Sequence, residues 1–172
     1  MKRVCVTGHR PDKLWGYDIL SPNYLILRKK FKELLINGEY EEGVSGMALG
    51  TDMVFAMAVL ELRSEGYNIK LRCAIPCLKQ YIKWNPDDIM LWKSIVMQAD
   101  TKVLVTNSLY TPYCMPKRNR YMVDTVDDVI ALYNGDETGG TADCVKYAES
   151  QNKNIIVLNP NDVDKWGVNY GI

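Results

Sequence analysis

The chain has 172 residues, 47% hydrophobic and 24% charged, with 21 Lys plus Arg against 21 Asp plus Glu. That length buries a core without metal or disulfide support, so one unit spanning residues 1–172 is expected. The balanced charge gives no global field toward DNA, RNA or anionic lipid, and nucleic acid is disfavoured as a partner.

The five cysteines, Cys5, Cys73, Cys77, Cys114 and Cys144, form no Cys-x-x-Cys pair, and there is one histidine. Zinc-type spacing is absent, and no metal or cofactor is expected. Cys5 and Cys73 lie in apolar runs, where a reduced cysteine acts as a small hydrophobe. The odd total of five cysteines fits a reducing cytosol. The first strand begins almost at Met1 and no apolar run reaches membrane-spanning length, so a cytoplasmic protein without signal peptide or membrane contact is expected.

In chain order, Arg3–Thr7 is a β-rich run ended by Gly8, followed by a polar loop over 8–17. Tyr24, Leu27, Phe31, Leu34 and Leu35 fall at helical spacing, and Asn37-Gly38 stops that helix. A weaker strand covers 43–46. The glycine-rich turn 46–52 leads into a helix to about Glu65 that is apolar all round and therefore buried on most sides. Strand three is 69–75, closed by Pro76. Asp87 and Asp88 favour a helix start, with Leu91, Trp92, Ile95, Val96 and Ala99 as its apolar face. A strand over 102–106, a loop over 107–116, a helix over 117–126 and a strand over 128–133 follow. A helix from 141–142 to 151 and a strand over 154–158 complete the alternation, and the tail from Asn159 has no clear period. Alternating strands and helices predict a Rossmann-like α/β fold, a mainly parallel sheet covered by helices on both faces. Ligands in such sheets bind beyond the carboxyl ends of the strands, where the loops 8–17, 46–52 and 134–141 lie.

Three motifs reach that edge. In Gly8-His9-Arg10-Pro11, the Arg10 fork suits a phosphate; the bland reading has it packed on Trp15 or Tyr17. His9 reads as a hydrogen-bond donor rather than a base or metal ligand. In Gly46-x-x-x-Gly50-Thr51-Asp52, Asp52 can accept from ribose hydroxyls, or Thr51 or Asp52 merely caps the helix. Gly139-Gly140-Thr141 follows an apolar strand and opens a helix, so it presents backbone N–H groups to an anion. Arg118 and Asn119, in the basic run 117–120, close on the same pocket. Trp84 and Tyr113 are candidates to stack on a base, or they are packing.

The ordered set resembles the YpsA-like family of the SLOG superfamily, the Rossmann-like group that includes DprA and the LOG nucleotide hydrolases. Thr7-Gly8-His9-Arg10-Pro11, Lys13 to Tyr17, Gly46 to Asp52, Pro76 with Gln80 and Trp84, Arg118-Asn119 and Gly139-Gly140-Thr141 carry it over nearly the whole chain. The resemblance implies a nucleotide or nucleotide-derived ligand, AMP-, NAD- or ADP-ribose-like, and a homo-oligomer formed by helix pairing. The alternative it implies is a LOG-like nucleoside 5′-monophosphate N-glycosidase, with Arg118 and Asp143 catalytic. The LOG enzymes carry two adjacent glutamates after the threonine, where this chain has Asp143-Cys144. Hydrolysis needs a carboxylate there, so binding without turnover is the favoured reading.

Overall fold

The computed structural model describes residues 1–168. Six short runs become strands: β1 (Arg3–Gly8), β2 (Glu42–Ser45), β3 (Lys70–Ile75), β4 (Thr101–Leu104), β5 (Asp128–Leu132) and β6 (Asn154–Leu158). All neighbouring pairs are parallel, in the order β4-β3-β2-β1-β5-β6. In the central strands apolar residues occupy consecutive positions because both faces are covered. Val4, Val6, Ile130 and Leu132 point into one core; Cys5, Val44, Ala74 and Val129 point into a second on the opposite face.

The larger core is closed by α1 (Pro22–Asn37), α2 (Thr51–Ser64) and α3 (Pro86–Gln98), the smaller by α4 (Cys114–Thr125) and α5 (Gly140–Ser150). Helix α2 packs on α1, α3 and three strands, which explains its apolar circumference. Phe55 on α2 is fully buried and meets Phe31 of α1 edge-on, with ring centroids 5.3 Å apart. Pro22 and Pro86 each occupy a first turn, where no intrahelical N–H is needed. Asn85 caps α3 by accepting from the Asp88 N–H at 2.9 Å. Glu42 on β2 is buried between two cations, accepting from Arg3 Nε at 3.0 Å and Arg72 Nε at 2.9 Å. Those arginines lie on the two flanking strands, so the ion cluster ties three strands together.

Boundaries differ from the sequence reading in a few places. Strand β2 begins one residue earlier than expected, and β4 occupies 101–104 rather than 102–106. Helix α4 starts at Cys114, three residues early, because Pro116 falls within its first turn. Helix α5 starts at Gly140 itself. The tail that shows no period forms a 3₁₀ turn, Pro160–Lys165, and Trp166 packs edge-on against Trp15. Its last residues, 169–172, lie outside the described residues.

Phe55→Ala removes the ring at the contact of two helix layers. It should cost about 3–5 kcal/mol, the usual range for a buried aromatic cut to alanine. The urea midpoint would fall with the slope of the transition unchanged; a loss under about 1 kcal/mol would mean the two helices repack.

Candidate functional site at the sheet switch point

After β1 the chain turns to one side of the sheet, and after β5 to the other. The loops leaving these neighbouring strands diverge and open a crevice, the usual ligand position in an open α/β sheet. A cavity of about 230 Å³ lies there. Gly8, His9, Arg10, Asp52, Arg118, Asn119, Gly139, Gly140 and Thr141 all line it. Gly46, Gly50 and Thr51 do not; they form the layer behind it.

Its floor is the start of α5. Gly139 has φ 101°, a left-handed conformation natural to glycine, and no side chain caps the helix. The first helical bond runs from the Asp143 N–H to the Gly139 carbonyl at 3.0 Å. The N–H groups of Gly140, Thr141 and Ala142 precede that bond, at the positive end of the helix dipole. The Lys13 ammonium stands over the turn, 3.8 Å from where a Gly139 Cβ would be. Asp136 is drawn aside by the Thr138 N–H and hydroxyl, each at 3.2 Å, and by Lys13 Nζ at 3.6 Å. Hydrogen bonds from Thr138, then Lys13, hold its carboxyl below the usual range.

Opposite lies Arg118, only 5% exposed. Its Nη1 donates to the Gly46 carbonyl and its Nε to Asn119 Oδ1 at 2.9 Å. Its Nη1 is 3.9 Å from Asp52 Oδ2, which accepts the Ala48 N–H at 3.2 Å. Nη2 has no hydrogen-bond partner among the described residues. A Cβ on Gly46 would fall 2.4 Å from Nη1, so glycine makes room here for the arginine rather than for a ligand. The same carbonyl accepts from Gln80 Nε2 at 3.1 Å, and Gln80 Oε1 accepts from Trp92 Nε1 at 3.0 Å. Burial pushes the Asp52 carboxyl up, with Arg118 pulling it back; burial pushes Arg118 down, with Asp52 opposing.

Thr51 is structural: its hydroxyl donates to the His9 carbonyl at 3.0 Å, and a Cβ on Gly8 would collide with its side chain. Gly50, at φ 85°, packs on Pro11. His9 is 4% exposed, with Nε2 3.0 Å from Asn134 Oδ1, which fixes the ring. Arg10 packs on neither Trp15 nor Tyr17 as a ring partner; it is exposed, and its side chain makes no hydrogen bond or ion pair among the described residues. Asp143 is exposed outside this cavity, beside a groove between α4 and α5, and does not join Arg118. Cys144 beneath it is buried, and burial pushes its thiol up to about 11. The sequence reading does not assign Thr7, Asp12, Lys13, Met115, Met122 or Thr138 to the lining. Lys13 alone had a signal, two residues after Pro11 in the polar loop. The lining charges are Arg10, Lys13 and Arg118 against Asp12 and Asp52. Among the described residues no group of three His, Cys, Asp or Glu could hold a metal ion, and no helix is long and apolar enough to cross a membrane.

The YspA SLOG family matches residues 4–163 of this sequence. The chain belongs to that family. A UPF0398 protein of Bacillus pumilus (strain SAFR-032) is 30% identical over 155 residues, covering 87% of this chain and 83% of its own. DNA processing protein A (DprA) of Streptococcus pneumoniae superposes with a TM-score of 0.67 at 17% identity, over 98% of this chain. DprA of Helicobacter pylori gives 0.64 at 21% identity, over 92% of this chain. The chain spans 57% and 65% of those two DprA chains, and these likenesses establish the Rossmann-like fold. The expectation, drawn from net charge, that nucleic acid is a disfavoured partner does not stand. The H. pylori protein is described by its single-stranded DNA binding mode. Net charge is a whole-chain sum, whereas a strand is gripped by local groups.

Arg118→Ala should destabilise the fold by about 3–5 kcal/mol near neutral pH, as when one partner of a buried charge pair is removed. The deficit should depend on pH. Burial already raises the folded-state pKa of Asp52, so its ionised form is a cost present above that pKa and relieved as pH falls through it. Without Arg118 the folded pKa rises further while the unfolded one stays put. The gap between variant and native protein therefore narrows on acidification, measured by denaturant titration at several pH values. A gap independent of pH would reduce Arg118 to packing.

Proposed function

We propose that the switch-point cavity binds the phosphate of a nucleotide or nucleotide-derived ligand of the AMP, NAD or ADP-ribose type, and that the protein senses or sequesters it. The carrying observation is the uncapped start of α5 facing Arg118 across the cavity, with Lys13 and Arg10 at its mouth. Backbone N–H groups and a helix dipole favour an anion without requiring net charge, and the free Nη2 of Arg118 adds a charge-assisted donor. Asp52 would accept a sugar hydroxyl through Oδ1, since Ala48 and Arg118 engage only its Oδ2.

Glycosidic cleavage is the lesser reading. It needs a carboxylate at the anomeric carbon, and the lining acids are Asp12 and Asp52, the latter occupied by Ala48 and Arg118. A second reading, a single-stranded nucleic acid, is favoured by one observation. Tyr110 and Tyr113 are largely exposed in the loop leading to α4, which continues with Lys117. Aromatic faces beside basic groups are what stacked bases use.

AMP or ribose 5-phosphate at about a hundred times its Kd should stabilise the protein by about 2.7 kcal/mol. Arg10→Ala should leave the unliganded melting temperature nearly unchanged, because the exposed side chain makes no hydrogen bond or ion pair and its charge attracts Asp52 while repelling Arg118. It should cost about 1.5–3 kcal/mol of binding, as for a hydrogen bond to a charged group. No thermal shift with any phosphate-bearing nucleotide would remove the reading.

Free base should not be released from AMP over hours of incubation. Chromatographic detection of release that disappears in Asp143→Asn would make the protein an enzyme and overturn binding without turnover.

A further inference from the structure

The switch-point cavity, about 230 Å³, is smaller than the roughly 300–1,000 Å³ typical of small-molecule and cofactor sites. It suits a sugar phosphate, and no Trp, Tyr or Phe lines it to take a base. A second cavity of about 420 Å³ adjoins it, and Arg10 and Asp12 line both. Trp84, Tyr17 and Leu49 give the second cavity apolar walls, and Lys83, Asn85 and Asp88 give it a polar rim. Trp84 is half-buried and packs against the larger core, which fixes it in place. Its indole N–H has no hydrogen-bond partner and its ring faces no other ring among the described residues. Asp88 is held by Asn85 Nδ2 at 2.9 Å, which orients its carboxylate at the rim. Arg10, at the junction, makes no side-chain hydrogen bond or ion pair among the described residues and feels Asp52 and Arg118 only as charges at longer range.

We infer that the second cavity is a nucleobase compartment of the same site, and that the ligand is a two-part nucleotide: a nucleoside diphosphate whose far phosphate carries a sugar. The inference rests on the phosphate reading of the first cavity and extends it. The base lies against Trp84, with Tyr17 on its open side. Asp88 accepts from an amino group on the base. Arg10 takes the near phosphate where the two cavities meet. The far phosphate reaches the start of α5 and Arg118, with its sugar beside Asp52. Together the two cavities fall inside the size range that one alone misses.

The test is calorimetric titration of the full chain with ribose 5-phosphate, which fits the first cavity alone, and with ADP-ribose, which spans both. ADP-ribose should bind at least about tenfold more tightly, given what one stacked base contributes. Trp84→Leu should lower ADP-ribose affinity about tenfold while changing ribose 5-phosphate affinity less than about twofold. Tyr17 is 60% exposed, so Tyr17→Ala keeps the test open if the tryptophan variant misfolds. It should weaken ADP-ribose several-fold with the same selectivity. Equal affinity for the two ligands, or undiminished ADP-ribose binding in a folded variant, would overturn the compartment and leave the phosphate reading intact. Failure of both ligands to bind the native chain would remove the phosphate reading, and this inference with it. A 5′-phosphorylated ten-nucleotide DNA strand that binds more tightly than ADP-ribose, and loses affinity in either variant, would assign the compartment to a nucleic-acid strand instead.

Discussion

One buried guanidinium holds the carboxyl edge of this fold together. Arg118 belongs to α4, on the smaller-core face of the sheet, and its partners lie at the start of α2, on the larger-core face: Gly46 in the turn that leads into the helix and Asp52 in its first turn. The two helical layers are thus linked around the end of the sheet by a charge and a carbonyl. Burying a guanidinium costs several kcal/mol unless its donors are satisfied. That requirement explains why residue 46 has no side chain and why Gln80, itself held by Trp92, supports the same carbonyl. The cavity takes its shape from that framework, and the Nη2 group of the guanidinium makes no hydrogen bond within it among the described residues.

The site's electrostatics are local. Across the lining, three cations stand against two carboxylates, and the start of α5 adds backbone N–H groups that no residue count registers. A chain with no net charge can therefore still line one concavity with more cations than carboxylates. The acids nearby are restrained rather than absent. Asp136 is turned toward Lys13 and Thr138, and Asp52 is held beneath Arg118.

The sheet is legible in the sequence because strands buried on both faces must be apolar at consecutive positions, as Val4, Cys5 and Val6 are. Helix α2 is legible for the same reason, since a helix wrapped on nearly every side loses its polar stripe. Boundaries are less so. Pro116 reads as a stop, yet in the first turn of α4 its missing N–H removes nothing. Half of the site follows from turn chemistry, as at Gly139-Gly140. The other half is ambiguous in one dimension, because a glycine that admits a ligand and one that admits an arginine are spelled alike. Gly46 is the second kind, and Thr51 is spent on the His9 carbonyl. Asp143 is placed by helix phase: one turn into α5 it faces outward, while its neighbour Cys144 faces the core. Lys13 reaches the cavity through the 3₁₀ turn Pro11–Lys13, which has no hydrophobic period to reveal it.

The strand order also bears on how the chain is made. β1 is synthesised before the other five strands, yet its central neighbour β5 follows some 124 residues later, as between the register partners Val4 and Asp128. While the ribosome is still translating the middle of the sequence, β1 to β4 can already form a four-stranded half-sheet. One margin of that half-sheet is the unpaired backbone of β1, flanked by Val4, Cys5 and Val6. Such an open apolar margin is a template for unwanted pairing. It is sealed only when β5 emerges and docks, and the same event brings the β1 and β5 loops together. The nascent protein thus gains its concavity and closes an open apolar border in one late step.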